Sequence, residues 1–113
     1  MRAGEICLAH FPLGDAPGMK LRPVLLLSGP LGPVPEILVA YISSVMPKTR
    51  LPSDIVLDPG LRQHKPTNLK MVSVVRLHKL ATIHASSVAR ELGEVSPAVL
   101  ADARSKLRAL LGL

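Results

Sequence analysis

Ten of the chain's 11 prolines fall before Thr67, and with the glycines they cut the first half into pieces too short for a helical bundle. What remains between the breaks is strand-sized. Glu5-Ile-Cys-Leu-Ala-His-Phe11 reads as a strand stopped by Pro12, and residues 13–21 as a loop with two glycines. The continuous apolar run at 24–27 is the next strand, ended by Ser28-Gly-Pro, and 36–42 and 54–57 are two more. Residues 71–77 and 79–83 carry β-branched residues and no proline, so they read as the longest paired strands. Short strands at this spacing, with turn signals between them, predict a small barrel.

The C-terminal segment has a different period. Ser96 stands as an N-cap ahead of Pro97, whose missing N–H costs nothing in a first turn. Leu100, Ala103, Leu107, Leu110 and Leu111 then recur at helical spacing as one apolar face. Asp102 and Lys106 are four apart in the favourable order, Arg108 suits the helix dipole, and Gly112 ends the helix. Residues 88–92 read equally as a helical turn or a last strand.

The 113 residues are 48% hydrophobic with a mean hydropathy of +0.34, which predicts one domain, residues 1–113, with a real core. The single cysteine, Cys7, excludes an internal disulfide framework and fits a reducing compartment; between Ile6 and Leu8 it reads as a buried thiol. No apolar run reaches the roughly 18 residues a membrane helix needs, and no basic-then-apolar leader is visible. The expected setting is the cytoplasm, with no membrane partner.

Charge is unevenly placed. Residues 1–60 carry five basic and five acidic side chains, whereas 61–80 carry Arg62, Lys65, Lys70, Arg76 and Lys79 with no acid, plus His64 and His78. Nearly all of the net +6 therefore lies in that one stretch. Such a stretch is either a solvated edge or a surface for a polyanion, nucleic acid being the usual one. Phe11 and Tyr41 are the only aromatic residues, too few for a module that stacks bases on an aromatic platform.

Motifs for most chemistries are missing. His10, His64, His78 and His84 have no partner at metal-ligand spacing, and phosphate-loop, dinucleotide and nucleophilic-serine signatures are absent. No metal or other cofactor is expected. Two places remain. In Lys20-Leu-Arg22-Pro23-Val-Leu-Leu-Leu27 a guanidinium stands where a glycine-bearing loop meets an apolar strand, and Pro23 extends the backbone at Arg22. In Val39-Ala-Tyr-Ile-Ser-Ser44 a strand turns polar at Ser43 and Ser44. Each also reads as ordinary structure, a surface arginine at a strand end and a pair of turn-forming hydroxyls.

Taken in order, these segments resemble the MazF/PemK family of type II toxins, the mRNA interferases. The resemblance runs through Gly4 to Pro12, Lys20 to Ser28, Val39 to Ser44, Leu51-Pro-Ser-Asp-Ile-Val-Leu-Asp58, Ser73-Val-Val-Arg-Leu-His-Lys-Leu80 and the closing Leu107-Arg-Ala-Leu-Leu-Gly-Leu113, essentially the whole chain. The loop at 13–21 departs from the Glu-Gln-Gly-Gly version of many members and looks nearer the PemK-like branch. The resemblance implies a mainly β fold, an SH3-like small β-barrel with a C-terminal α-helix, and a homodimer that cleaves single-stranded RNA. It also implies a small acidic antitoxin, with DNA reached only through the antitoxin complex.

By the same resemblance the family's catalytic arginine falls on Arg22 and its catalytic hydroxyl on Ser43. The RNA-binding candidates are His10, Lys20, Ser44, Arg76, His78 and Lys79. The family's chemistry needs no protein nucleophile, because the 2′-hydroxyl of RNA attacks the adjacent phosphorus. A guanidinium donates to two phosphate oxygens in a planar fork, which assigns Arg22 to charge stabilisation and the leaving group, with Ser43 as a second donor. His10 is the candidate base by type. The alternatives are a non-catalytic toxin of the same fold that binds a protein such as DNA gyrase, and a basic adaptor that only binds RNA.

Overall fold

The computed structural model describes residues 1–12 and 20–113. The elements follow as β1 (Glu5–Phe11), β2 (Lys20–Leu26), β3 (Glu36–Ser43), β4 (Asp54–Leu57), a 3-10 turn at Arg62–Thr67, β5 (Ser73–His84), a second 3-10 turn at Ala85–Ser87, β6 (Val88–Glu94) and α1 (Pro97–Leu111). The strands form one antiparallel sheet in the order β4-β5-β3-β2-β1-β6. The mainly β body with a closing helix is the expected fold class, but the sheet is not closed: β4 and β6 are its two edges. One core cluster nonetheless draws Ile6, Leu25, Ala40, Ile55, Leu57, Val75 and Leu77 from across that order.

Alternation along each strand sends the intervening residues to the other face, where Cys7, Ala9, Phe11, Val24, Leu26, Ile37, Val39 and Ile83 form a second cluster. Both faces of the central strands are therefore apolar. Cys7 is buried there as expected, and burial, reinforced by the carboxylates of Glu5 and Glu91, pushes its thiol up to about 11. It is an inert neutral thiol.

Four sequence expectations shift. The strand expected at 24–27 begins at Lys20, ahead of Pro23. Residues 20–23 pair with β1 alone, since the β2–β3 ladder starts at Val24↔Tyr41, and a proline is tolerated on such a locally free edge. The loop expected at 13–21 thus shortens from its far end, and its residues 13–19 lie outside the described residues. The strands expected at 71–77 and 79–83 are one strand carrying a bulge: Tyr41 faces Arg76 while Ala40 faces Leu80, leaving Leu77, His78 and Lys79 as the excess. The ambiguous 88–92 segment is the core of β6, paired to β1 with two irregularities.

The helix is capped as expected. The Ser96 hydroxyl accepts from the Val99 amide at 3.2 Å, Lys106 meets Asp102 at 2.8 Å, and Gly112 takes the left-handed conformation at φ 72°. Leu100, Ala103 and Leu107 pack against the first cluster, but Leu110 and Leu111, expected on the same face, are exposed because the last turn runs beyond it.

One close approach shapes the rest. A Cβ on Gly93 would run into the carbonyl of Pro66 and lie 2.6 Å from that of Thr67, so only glycine lets the 3-10 turn at Arg62–Thr67 rest on β6. Asn68, left-handed at φ 55°, then donates from Nδ2 to the Leu92 carbonyl at 2.7 Å. These contacts anchor the segment from Asn68 to Ser73 against the sheet.

Candidate active site

The free edge of β2 and that anchored segment face each other across a pocket of about 440 Å³. Its apolar floor includes Leu8, Pro23, Ile42 and Leu69, and its polar lining includes Arg22, Ser43, Ser44, Lys70 and Arg90. Among the described residues that line it there are three cations and no carboxylate. A cavity of that charge attracts anions and offers them an apolar surface alongside.

Arg22 and Ser43 reach it from neighbouring strands. The β2–β3 register pairs Val24 with Tyr41, and continued two residues past that pair it sets Arg22 opposite Ser43 on one face. Arg22 is half-buried, and its Nε is buried without a hydrogen-bond partner. Its Nη1 donates to the Tyr41 hydroxyl at 3.4 Å, and the guanidinium carbon lies 5.8 Å from the centre of the Tyr41 ring. The Ser43 hydroxyl closes a small turn, accepting from the Val45 amide at 3.1 Å and donating to the Val45 carbonyl at 3.3 Å. Ser44 is exposed at the rim.

The remaining candidates stand elsewhere. Lys20 is exposed at the start of β2 opposite Phe11, and His10 is exposed on β1 opposite Leu21, which itself lines the pocket. Arg76 is engaged by a carboxylate: its Nε lies 2.9 Å from Oδ1 of the buried Asp54. His78 and Lys79 are exposed on the β5 bulge, and Lys79 turns its Nζ to within 5.7 Å of the Tyr41 ring centre. The His78 imidazole is held below its ordinary range, first by partial burial, then by the positive charges of Arg76 and Lys79 against the opposing pull of Asp54. So Arg22, Ser43 and Ser44 share one pocket, Lys79 approaches Arg22 through Tyr41, and Lys20, His10, Arg76 and His78 do not line it. Among the described residues, no group of three or more His, Cys, Asp or Glu side chains is placed to hold a metal ion.

Three further residues that line the pocket, Lys70, Arg90 and Tyr41, carried little signal in the sequence. Lys70 was one cation among five in the basic stretch, and Arg90 lay in a segment whose secondary structure was ambiguous. Tyr41 sat inside the quoted Val39-Ala-Tyr-Ile-Ser-Ser44 motif; its being one of only two aromatic residues was the available signal.

A family profile described as "PemK-like, MazF-like toxin of type II toxin-antitoxin system" matches residues 2–111. The chain belongs to that family. Among solved structures it is similar to MazF from Deinococcus radiodurans, at 24% identity and a TM-score of 0.71 over 100% of this chain and 97% of that one. It is also similar to the Mycobacterium tuberculosis toxin MazF-mt6, at 21% identity and a TM-score of 0.70 over 96% and 97% of the two chains. A mycobacterial endoribonuclease in complex with its cognate antitoxin matches at 17% identity and a TM-score of 0.68, over 100% and 96%. At these identities the structures establish the shared fold. No curated protein matches the chain. No helix among the described residues is long and apolar enough to cross a membrane.

Proposed function

We propose that this toxin is a metal-independent, sequence-specific endoribonuclease that cuts single-stranded mRNA at the Arg22–Ser43 pocket. The observation that carries the reading is the pocket's composition: Arg22 and Ser43 on adjoining strands, Lys70 and Arg90 beside them, and no carboxylate in the described lining. A phosphodiester is drawn to such a site, and the apolar floor suits the sugar and base that flank it.

RNA brings its own nucleophile. The 2′-oxygen bonds to phosphorus, the bond from phosphorus to the 5′-oxygen breaks, and charge builds on the equatorial phosphate oxygens between the two events. Arg22 donates to those oxygens as a planar fork and to the departing 5′-oxygen, while the Ser43 hydroxyl, already poised by Val45, supplies a further donor. A guanidinium keeps its proton at neutral pH, so the 2′-hydroxyl gives its proton to another base, and the 5′-oxygen, hydrogen-bonded by Arg22 as it departs, takes its proton from water. His10, paired with Leu21 at the pocket's edge, is the candidate. Lys20, Ser44, Arg76, His78 and Lys79 belong to the wider RNA-facing surface in this reading. The protein acts in the cytoplasm as a homodimer, is neutralised by a small acidic antitoxin, and meets DNA only through that complex.

The test is incubation of the purified protein with a long single-stranded RNA in the presence of EDTA, followed by end mapping. Defined cuts by the wild type are expected. Arg22→Ala should lower the rate by about 100-fold or more with the fold intact, since one preorganised donor to a developing oxyanion is worth about that much. Arg22→Lys should recover little of it, because an ammonium cannot form the fork. Wild-type rates in Arg22→Ala would overturn the assignment.

A further inference from the structure

The chain has two aromatic side chains, and the fold stacks them on each other: the rings of Phe11 and Tyr41 lie 5.4 Å apart at 26°. Phe11 is buried, so it braces one side of the Tyr41 ring from β1. Two cations then meet that same ring, the Arg22 guanidinium at 5.8 Å and the Lys79 ammonium at 5.7 Å from its centre. Both distances fall inside the range where the ring's quadrupole attracts a cation. The phenolic oxygen accepts from Arg22 Nη1 besides. The β-ladders explain why these groups converge. Tyr41 is paired with Val24 on β2, two residues from Arg22, and with Arg76 on β5, just before the bulge that carries Lys79.

Among the described residues Arg22 forms no ion pair, so Tyr41 is its polar contact on this face. The chemistry of that contact matters. A carboxylate in the same place would also fix the guanidinium, but it would cancel the charge and compete with a phosphate for the same N–H groups. A neutral ring and a phenolic oxygen hold the guanidinium and leave its charge undiminished for an incoming anion.

We propose that Tyr41 is a positioning residue that orients Arg22 toward the scissile phosphate, with Phe11 as its brace. The inference rests on the endoribonuclease reading for its purpose, while the contact itself is measurable without it. The fork of Arg22 is effective only if its plane is set before the phosphate arrives, and the ring contact and the hydroxyl each restrain that plane. Tyr41 acts through Arg22, so its loss slows the chemical step more than it weakens RNA binding.

Two measurements on the full-length protein test this. The first is side-chain NMR of the arginines in the free wild type, in Tyr41→Phe and in Tyr41→Leu. The Arg22 Nε–Hε signal should be displaced by the ring current and its Nη groups slow to rotate in the wild type. Tyr41→Phe should keep the displacement, and Tyr41→Leu should lose it with the rest of the spectrum unchanged. An Arg22 signal that is the same in all three overturns the proposal. The second measurement is cleavage of single-stranded RNA under single-turnover and steady-state conditions. Tyr41→Leu should reduce kcat by about tenfold, the scale of one cation–ring contact, with KM nearly constant. Tyr41→Phe should restore most of that loss. A folded Tyr41→Leu that cuts at the wild-type rate, or whose loss lies in KM alone, overturns the positioning role. A wild type that cuts no RNA while the NMR coupling is present defeats the endoribonuclease reading instead, and with it the purpose assigned to the contact.

Discussion

Asp54 and Arg76 face each other across the β4–β5 ladder, and their side chains meet at 2.9 Å with the carboxylate fully buried. The second carboxylate oxygen of Asp54 accepts from the Leu51 amide at 2.8 Å, so one residue both pairs a cation and holds the turn that leads into β4. Arg76 in turn faces Tyr41. The same row of the sheet therefore runs from the ion pair to the ring beside Arg22. One of the five cations of the basic stretch is neutralised where it stands.

Breaking this pair should show in stability. Asp54→Ala leaves the Arg76 guanidinium, 16% exposed, without its partner, and it frees the Leu51 amide. Removing one member of a buried pair costs about 3–5 kcal/mol. In a domain of this size the melting temperature should fall by roughly 10 °C or more. Replacing both residues, Asp54→Ala with Arg76→Met, should cost less than the sum of the single changes, because neither charge is then stranded. A melting curve for Asp54→Ala that overlays the wild type would mean that the pair contributes nothing.

Gly93→Ala should disturb the pocket from a distance. The added methyl would meet the Pro66 and Thr67 carbonyls, and backbone atoms cannot swing aside as a side chain can. The 3-10 turn must lift from β6, taking with it the Asn68–Leu92 hydrogen bond and the wall that carries Lys70. Overpacking of this kind costs about 1–3 kcal/mol. Cleavage should fall although Arg22 and Ser43 are untouched. Gly29→Ala is the control, since its new methyl finds its nearest heavy atom at 3.6 Å and should change neither quantity. Equal behaviour of the two variants would sink the argument.

The ends of α1 were legible because Ser96, Pro97 and Gly112 act through their own local backbone. The start of β2 was not. Pro23 reads locally as a strand entry, and only the late start of the β2–β3 ladder makes an upstream proline acceptable. The bulge in β5 is set by β3 across the ladder, so the run from Ser73 to Leu80 carries no local mark of it. At the site, Arg22 and Ser43 came from resemblance, and their shared face follows from register. Tyr41 gains its place from Phe11 and Lys79, which only the fold brings to it.

Lys79 and His78 should separate charge from protonation. Both are exposed on the bulge. If they face the RNA backbone, Lys79→Gln should flatten the plot of log affinity against log salt by about 0.7, the value of one phosphate contact on a single strand. His78 adds a pH term. Its imidazole is held below the ordinary 6.5 by partial burial and by Arg76 and Lys79, so it is neutral at pH 7 and gains its charge only in more acid solution. RNA affinity should then rise as pH falls through a step lying below 6.5, and His78→Gln should remove that step. Folding is linked in the opposite sense. The native state binds fewer protons than the unfolded chain between the two His78 values, so stability falls as pH drops through that window. Titrations at several salt concentrations check both. An unchanged slope in Lys79→Gln would make this edge merely solvated.

The products decide the chemistry. If the 2′-hydroxyl of the substrate attacks, one fragment ends in a 2′,3′-cyclic phosphate and the other begins with a free 5′-hydroxyl. If Arg22 and Ser43 bind phosphate oxygens, which DNA shares, a DNA strand of the same sequence should bind and remain uncut. Replacing only the ribose on the 5′ side of the cut with deoxyribose should likewise stop cleavage while binding persists, since one hydroxyl is removed and every phosphate is retained. EDTA should leave the rate unchanged. The readout is direct labelling of the downstream fragment by polynucleotide kinase, which accepts a 5′-hydroxyl without prior dephosphorylation. A 5′-phosphate on that fragment, or activity lost with the chelator, would place the nucleophile on a metal-activated water. Arg22 and Ser43 would then be phosphate-binding residues alone.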